Sequence, residues 1–283
     1  MITRKKTRSG GRFWIVVYAG LCVIMAVVGW TSIMMIVPGA DASVASAMPQ
    51  ATGTPGRSAT SAPTDDGPTL TPAETPAALP TKAAFYIDLY RPGTFVSQMT
   101  REYCMAGAVQ NMLNIIGPKA DLTTDRQRQI GNLLVSLTTR QDSFNGGFGP
   151  AGWALAMPKL GAGKYKLVVD STLDQALRDA AVALADTGRP VGLLTWKGAH
   201  SWVMTGFRAD ADPLLFPDTF KLKGAFIVDP FYPRVSSIWG ATLGPDTYRN
   251  PADMAKNYVV WKRPEGHYPG RDGKWLLVIP IAG

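Results

Sequence analysis

The chain has 283 residues, 46% of them apolar and 18% charged, which is enough for one sizeable folded domain with appendages. Its formal charge of +8 is uneven: Arg4, Lys5, Lys6, Arg8 and Arg12 supply five positives, and the other 24 basic against 21 acidic residues leave only +3. A basic tail of this kind argues for membrane orientation and against nucleic-acid binding, because no aromatic-basic reader motif accompanies it.

The tail, residues 1–12, runs into Phe13 to Val37, which is almost wholly apolar and uncharged. That stretch exceeds both the ~20 residues that cross a bilayer and the ~7–15 of a signal-peptide core. It predicts a single-pass signal anchor with the tail in the cytoplasm and the rest outside. Ala40-Asp-Ala42 and Ala45-Ser-Ala47 are A-x-A-like, so secretion after cleavage is the alternative. Residues 38–83 are dominated by Ala, Ser, Thr, Pro and Gly. Such a segment cannot bury enough apolar surface to offset its ordering entropy, so it reads as a disordered spacer.

Residues 84–283 read as the folded domain. Cys104 to Ile116 is a predicted helix with Ala108, Met112 and Ile115 in one apolar line, stopped by Gly117-Pro118. Asp125 to Leu137 is a second helix, Ser143 to Pro150 a loop and Ala151 to Met157 a short helical piece. A strand over 165–169 precedes a capping-box signal at Ser171-Thr-Leu-Asp174 and a helix through Ala185. Strands follow: 191–196, a turn at Lys197-Gly198, 200–207, 224–229, 257–261 and 275–281. Helices first and an antiparallel sheet afterwards predict an α+β domain of two packed layers.

Beyond the apolar span there is one cysteine, Cys104, because Cys22 lies inside it. An exported cysteine without a partner is a reactive thiol, an intermolecular link or an inert core residue. Its position at a helix start favours the thiolate, since free N–H groups and the macrodipole stabilise an anion there. His200 opens a strand, with Trp202 and Met204 on its face and Ser201, Val203 and Thr205 on the other. His267 lies in a turn-rich stretch and reads as surface structure. Asp229 ends a buried strand, where a carboxylate must find partners; Asp210 and Asp212 are the alternative acids. Gln98, six residues before Cys104, carries an amide that can serve an oxyanion together with the Cys104 N–H. Trp196, Trp202, Trp239 and Trp261, at strand spacing, read as core, with the lining of a substrate groove as the alternative. Two separated histidines and one cysteine do not make a usual zinc cluster, and Gly146-Gly-Phe-Gly149 lacks the Lys-Ser/Thr of a phosphate loop.

Gln-x5-Cys opening a helix, a strand-borne His and an Asp-Pro closing a strand resemble the family-39 cysteine peptidases over residues 85–281. These are papain-like domains best known for cutting double-glycine leaders from bacteriocin precursors. The resemblance implies a papain-like cysteine peptidase fold, with Cys104 as nucleophile, His200 as general acid/base, Asp229 as orienting acid and Gln98 as oxyanion donor. It implies a peptide or protein substrate and neither cofactor nor metal. Two features depart from the family. Met105 stands where Gly commonly follows the cysteine, predicting less room beside the thiol. The Arg208 to Lys223 loop is longer than usual, as a lid would be, or as in a site that has drifted toward binding. Leader cutting does not suit an outward-facing domain without an exporter. The sequence therefore predicts a membrane-anchored extracytoplasmic cysteine hydrolase, monomeric, with a catalytically silent peptide- or envelope-binding module as the alternative.

Overall fold

The computed structural model describes residues 80–143 and 147–283. The basic tail, the apolar span and nearly all of the spacer lie outside the described residues. Among the described residues no helix is long and apolar enough to cross a membrane.

The chain enters through strand β1, Phe85–Asp88, then an extended segment, and three helices follow: α1 Cys104–Ile116, α2 Thr124–Leu137 and α3 Pro150–Lys159. Strand β2, Tyr165–Asp170, leads to α4, Leu173–Thr187. The rest is mainly strand: β3 Val191–Thr195, β4 His200–Ala209, β5 Leu222–Val228, the short β6 Val235–Ser236, β7 Gly240–Ala241 and β8 Thr247–Arg249, then helix α5 Pro251–Met254 and β9 Trp275–Pro280. The domain is α+β with an antiparallel sheet in the order β2-β9-β3-β4-β5-β8, in which β1 also pairs with β4.

The predicted two layers are three. Successive residues of the central strands enter two different cores. Leu194, Val203, Val228, Leu276 and Val278 pack with α1, α2 and α3. Leu193, Trp202, Met204, Ile227, Leu277 and Ile279 pack with α4 on the opposite face. Burial on both faces explains why these strands read as continuous apolar runs instead of alternating with polar residues.

Three further differences are local. β3 stops at Thr195, because Trp196 and Lys197 take positive φ (53° and 61°) and end the ladder. Residues 257–261 are not a strand: Tyr258 and Trp261 bury their rings, and their backbone bonds go to loops and turns. Finally, β4 carries one more residue than β5 between Met204 and Gly206. That bulge moves Thr205 out of the strict alternation, and its hydroxyl bonds Phe226 O and Asp246, each at 3.3 Å.

The long loop between β4 and β5 is not a lid. It leaves β4 at the end opposite His200, which opens a ten-residue strand spanning roughly 30 Å. Phe220 is buried, and Arg178 of α4 lies 4.8 Å over its ring and donates to its carbonyl. Asp210 accepts from Lys221 N and Asp212 from Leu214 N, so both alternative acids serve this loop.

Candidate active site

The site forms where the first residue of β4, the residue following β5 and the first residue of α1 meet. Helix starts are normally satisfied. Thr123, Thr172 and Asn250 accept from the N–H groups of Arg126, Gln175 and Asp253 at the starts of α2, α4 and α5. Asp142 does this for α3, accepting from Ala151 and Gly152 at 3.0 and 2.7 Å. At α1 the N-cap Tyr103 makes no side-chain cap bond, and the first turn holds no acid. Cys104, half-buried, sits on this open end, where the free N–H groups favour an anion.

Polar side chains on α1 hold the preceding segment in place. Asn111 accepts from Val96 N (2.8 Å) and donates to Val96 O (2.9 Å), imitating a strand pair. Asn114 donates to Thr94 O at 3.0 Å, and Gln127 of α2 accepts from Met99 N at 2.6 Å. Gly107 permits close approach: a Cβ there would lie 3.0 Å from Pro230 and 3.2 Å from the Cβ of Gln98. Gln98 N donates to Pro230 O at 2.8 Å, which ties the segment before the cysteine to the one after Asp229. Met105 points into the α1–α3 core and is 5% exposed, so it does not take the room beside the thiol that the sequence predicted it would.

His200 and Asp229 are 2% and 3% exposed, and His200 Nε2 lies 2.7 Å from Asp229 Oδ1. Oδ1 also accepts from Phe231 N at 2.8 Å, and Oδ2 accepts from Trp202 Nε1 at 2.7 Å. The carboxylate is thus fully engaged, as a buried charge must be. Burial pushes the imidazolium down, but hydrogen bonding to Asp229 and Cys104 and their charges overcome it and raise His200 to about 9. Asp229 holds Nε2, so Nδ1 is the nitrogen left for the thiol.

The turn before His200 is strained. Trp196, Lys197 and Gly198 have φ of 53°, 61° and 88° in succession, and for a tryptophan this conformation is a costly outlier. Asn257 pays for it structurally: Trp196 N donates to its backbone oxygen (2.9 Å) and Nε1 to its Oδ1 (3.0 Å). The result is an indole stacked on the His200 ring at 4.0 Å and 24°. Trp239, half-buried, lies parallel to Trp196 at 6.0 Å between ring centroids.

Cys104, His200 and Asp229 are therefore brought together. Gln98 lies in the adjoining wall, 1% exposed, with its amide turned elsewhere. Its Nε2 donates to Thr100 O at 2.7 Å and Arg101 O at 2.9 Å, and its Oε1 has no partner among the described residues. Both amide protons are spent inside the loop. His267 is exposed in the turn-rich 261–271 segment.

Trp202 and Trp196 are as buried as the core reading expected, yet they touch the carboxylate and the imidazole. The sequence gives Ser201 no role, yet it is buried and its hydroxyl lies 3.9 Å from Cys104 Sγ. The period-two pattern, which set Ser201 opposite His200, was the one available signal. Nothing in the sequence marks Asn257 or the positive φ of Trp196.

No protein-family model matches the chain, and no curated protein matches it. Among solved structures it is similar to UfSP from C. elegans, with 12% identity, a TM-score of 0.37, and coverage of 75% of this chain and 40% of that one. The chain thus spans under half the length of that protein.

Proposed function

We propose that this domain is a papain-like cysteine hydrolase that cleaves peptide or amide bonds, with Cys104 as nucleophile, His200 as acid/base and Asp229 as the orienting acid. The observation that carries this reading is a buried, fully engaged His200–Asp229 pair set against a cysteine on an open helix start. The Cys104 thiolate attacks the scissile carbonyl carbon, and the carbonyl π electrons move to oxygen. Collapse re-forms the carbonyl and breaks the C–N bond, while the His200 imidazolium gives its proton to the leaving amine. Water then attacks the thioester with His200 as base, releasing the acid and returning the thiol. The oxyanion is met by the Cys104 N–H, with Gln98 as second donor once its amide leaves the 100–101 carbonyls.

The remaining sequence expectations belong to the same proposal: a single-pass anchor, an outward-facing domain and a peptide substrate. They rest on the residue pattern of the first 83 positions and on the family-39 resemblance.

One observation favours the catalytically silent binding module, namely the engaged Gln98 amide. Labelling with a thiol-directed peptide electrophile separates the two. A hydrolase labels at Cys104 far faster with a peptide electrophile than with iodoacetamide, and loses that advantage in His200→Ala. Equal rates for the two reagents, unchanged in the variant, would leave the binding module.

A further inference from the structure

Ser201 carries a hydroxyl on an otherwise apolar face of the sheet. It follows His200 on β4 and shares its side of the strand with Val203, which packs with α1, α2 and α3. Leu194, its partner across β3, is buried in the same core. Ser201 is 1% exposed, so its hydroxyl must be satisfied from within the protein. Thr205, the other buried hydroxyl of β4, bonds a backbone oxygen, that of Phe226. Ser201 does not: among the described residues its one hydrogen-bond partner is Cys104 Sγ, at 3.9 Å.

The direction of this bond matters. The hydroxyl donates, and sulfur accepts weakly as a thiol but strongly as a thiolate. At 3.9 Å the bond is long, and a charge on sulfur draws it shorter. The open start of α1 favours that charge, and His200 bonds the same sulfur. Two donors therefore meet Sγ, the ring from the first residue of β4 and the hydroxyl from the second. A cysteine side chain turns about one torsion that places its sulfur, so two such contacts hold Sγ in one rotamer.

We propose that Ser201 is a positioning residue for the nucleophile: its hydroxyl donates to the Cys104 thiolate and keeps Sγ against His200. The proposal rests on the cysteine-hydrolase reading and deepens it. Ser201 is too buried to touch substrate and acts only through the sulfur.

Donation leaves a signature that packing does not. A donor to the thiolate raises the ionised fraction but lowers the nucleophilicity of each thiolate, with a Brønsted coefficient of about 0.4–0.5. Loss of the donor therefore acts in opposite directions along a pH profile. At the lower end of what a hydrogen bond to a charged group contributes, it changes the ionised fraction about tenfold. In Ser201→Ala, alkylation by iodoacetamide should then slow about three- to fourfold on the rising limb of the profile. On the plateau, where every thiol is ionised, it should quicken about threefold. The variant and wild-type profiles cross.

The experiment uses the full chain, from about pH 4 to 10, with alkylation read at the Cys104 peptide by mass spectrometry and each fold checked by thermal melting. Ser201→Thr keeps the hydroxyl and should restore the wild-type profile; where its extra methyl prevents folding, the crossing in Ser201→Ala decides alone. Labelling by a peptide electrophile at pH 7 should slow about tenfold in Ser201→Ala, because the sulfur loses its fixed direction. Profiles that superpose, or that move one way at every pH, overturn the proposal. If the peptide electrophile still outpaces iodoacetamide and His200→Ala abolishes that advantage, the hydrolase stands without Ser201. Crossing profiles with no advantage for the peptide electrophile keep the Ser201–thiolate bond and remove the hydrolase.

Discussion

Helices α1 and α4 lie on opposite faces of one sheet and are built to opposite specifications. α4 opens with Thr172 accepting from Gln175 N at 3.1 Å, carries Asp174 in its first turn and ends at Gly188 in the left-handed region. Its buried residues are all Ala or Leu. α1 opens with no cap and no acid, and among its buried residues are Gln110, Asn111 and Asn114. A missing cap costs about 1 kcal/mol. α4 is a packing element whose termini complement its dipole. α1 gives up that complement and keeps the positive pole for Cys104, while its polar residues hold the segment that walls the site. The helix that forgoes stability at its start is the one that carries the thiol.

The sharpest way to test that contrast is to remove the imidazole. His200→Ala should cost on the order of 10⁴-fold in hydrolysis, as loss of a member of a catalytic unit does, while no α4 substitution that folds should approach this. The same variant has a signature in stability. His200 is raised to about 9 in the fold against about 6.5 when unfolded. The folded state therefore binds the extra proton between these values. The stabilisation is complete below about pH 6.5 and is lost as pH rises through about 9. Thermal melting across pH 6–10 should show this slope in the wild type and lose it in His200→Ala.

Asp229→Asn is expected to be the next largest. The amide keeps one acceptor for His200 and Phe231 N but turns an NH2 toward Trp202 Nε1, setting donor against donor in a buried place. Stability should fall by about 1–3 kcal/mol and hydrolysis by on the order of 10²–10⁴-fold. Adding Trp202→Phe removes the conflicting donor and should recover part of the stability but not the turnover. Urea denaturation and peptide hydrolysis measured on the same samples check both halves. Full recovery of turnover would mean that Asp229 acts only through packing.

Exchanging the helix starts gives a smaller and opposite pair of effects. Tyr103→Asp places an accepting carboxylate at the open helix start that carries Cys104, and should slow iodoacetamide alkylation of Cys104 at pH 7 by about two- to tenfold through charge repulsion and a satisfied dipole. Thr172→Ala should leave alkylation unchanged and cost about 1 kcal/mol in stability. If both variants alter only stability, the open start of α1 has no chemical role.

The same contrast explains what was legible beforehand. The signals of α4 are local, so Ser171-Thr-Leu-Asp174 predicted a capped helix there, and the cap fell on Thr172, one position along. Cys104 at a helix start, His200 at a strand start and Asp229 at a strand end were also local readings, and the fold brings those three to one place. What was hidden depends on partners distant in the chain. The third layer follows from which faces α4 and α1 choose, and continuous apolar strands do not reveal that choice. The amide of Gln98 was read from its distance to the cysteine, whereas its bonds to Thr100 and Arg101 arise from how the loop turns. Trp196 had the composition of a strand residue; its positive φ is tolerated because Asn257, 61 residues on, binds its backbone and its indole.

The smallest effect lies on the α4 side, at Asp170, which ends β2 just before the Thr172 cap. One of its oxygens is buried without a partner among the described residues. Burial and the Asp179 carboxylate raise its pKa to about 6. The folded state therefore holds a proton that the unfolded chain releases near 3.9. The sign is opposite to that of a salt-bridged acid: stability falls as pH rises from about 4 to 6 and stays lower above. Asp170→Asn removes the charge and should raise stability at pH 7 by less than about 1 kcal/mol, since solvent still screens part of the group. At pH 4 the variant and wild type should melt together, because the wild-type side chain is then neutral as well. Equal gains at both pH values would show that the amide stabilises by new hydrogen bonds and not by discharging the site. In neither case should Cys104 alkylation change, since β9 and β3 separate the strand of Asp170 from the strand of His200.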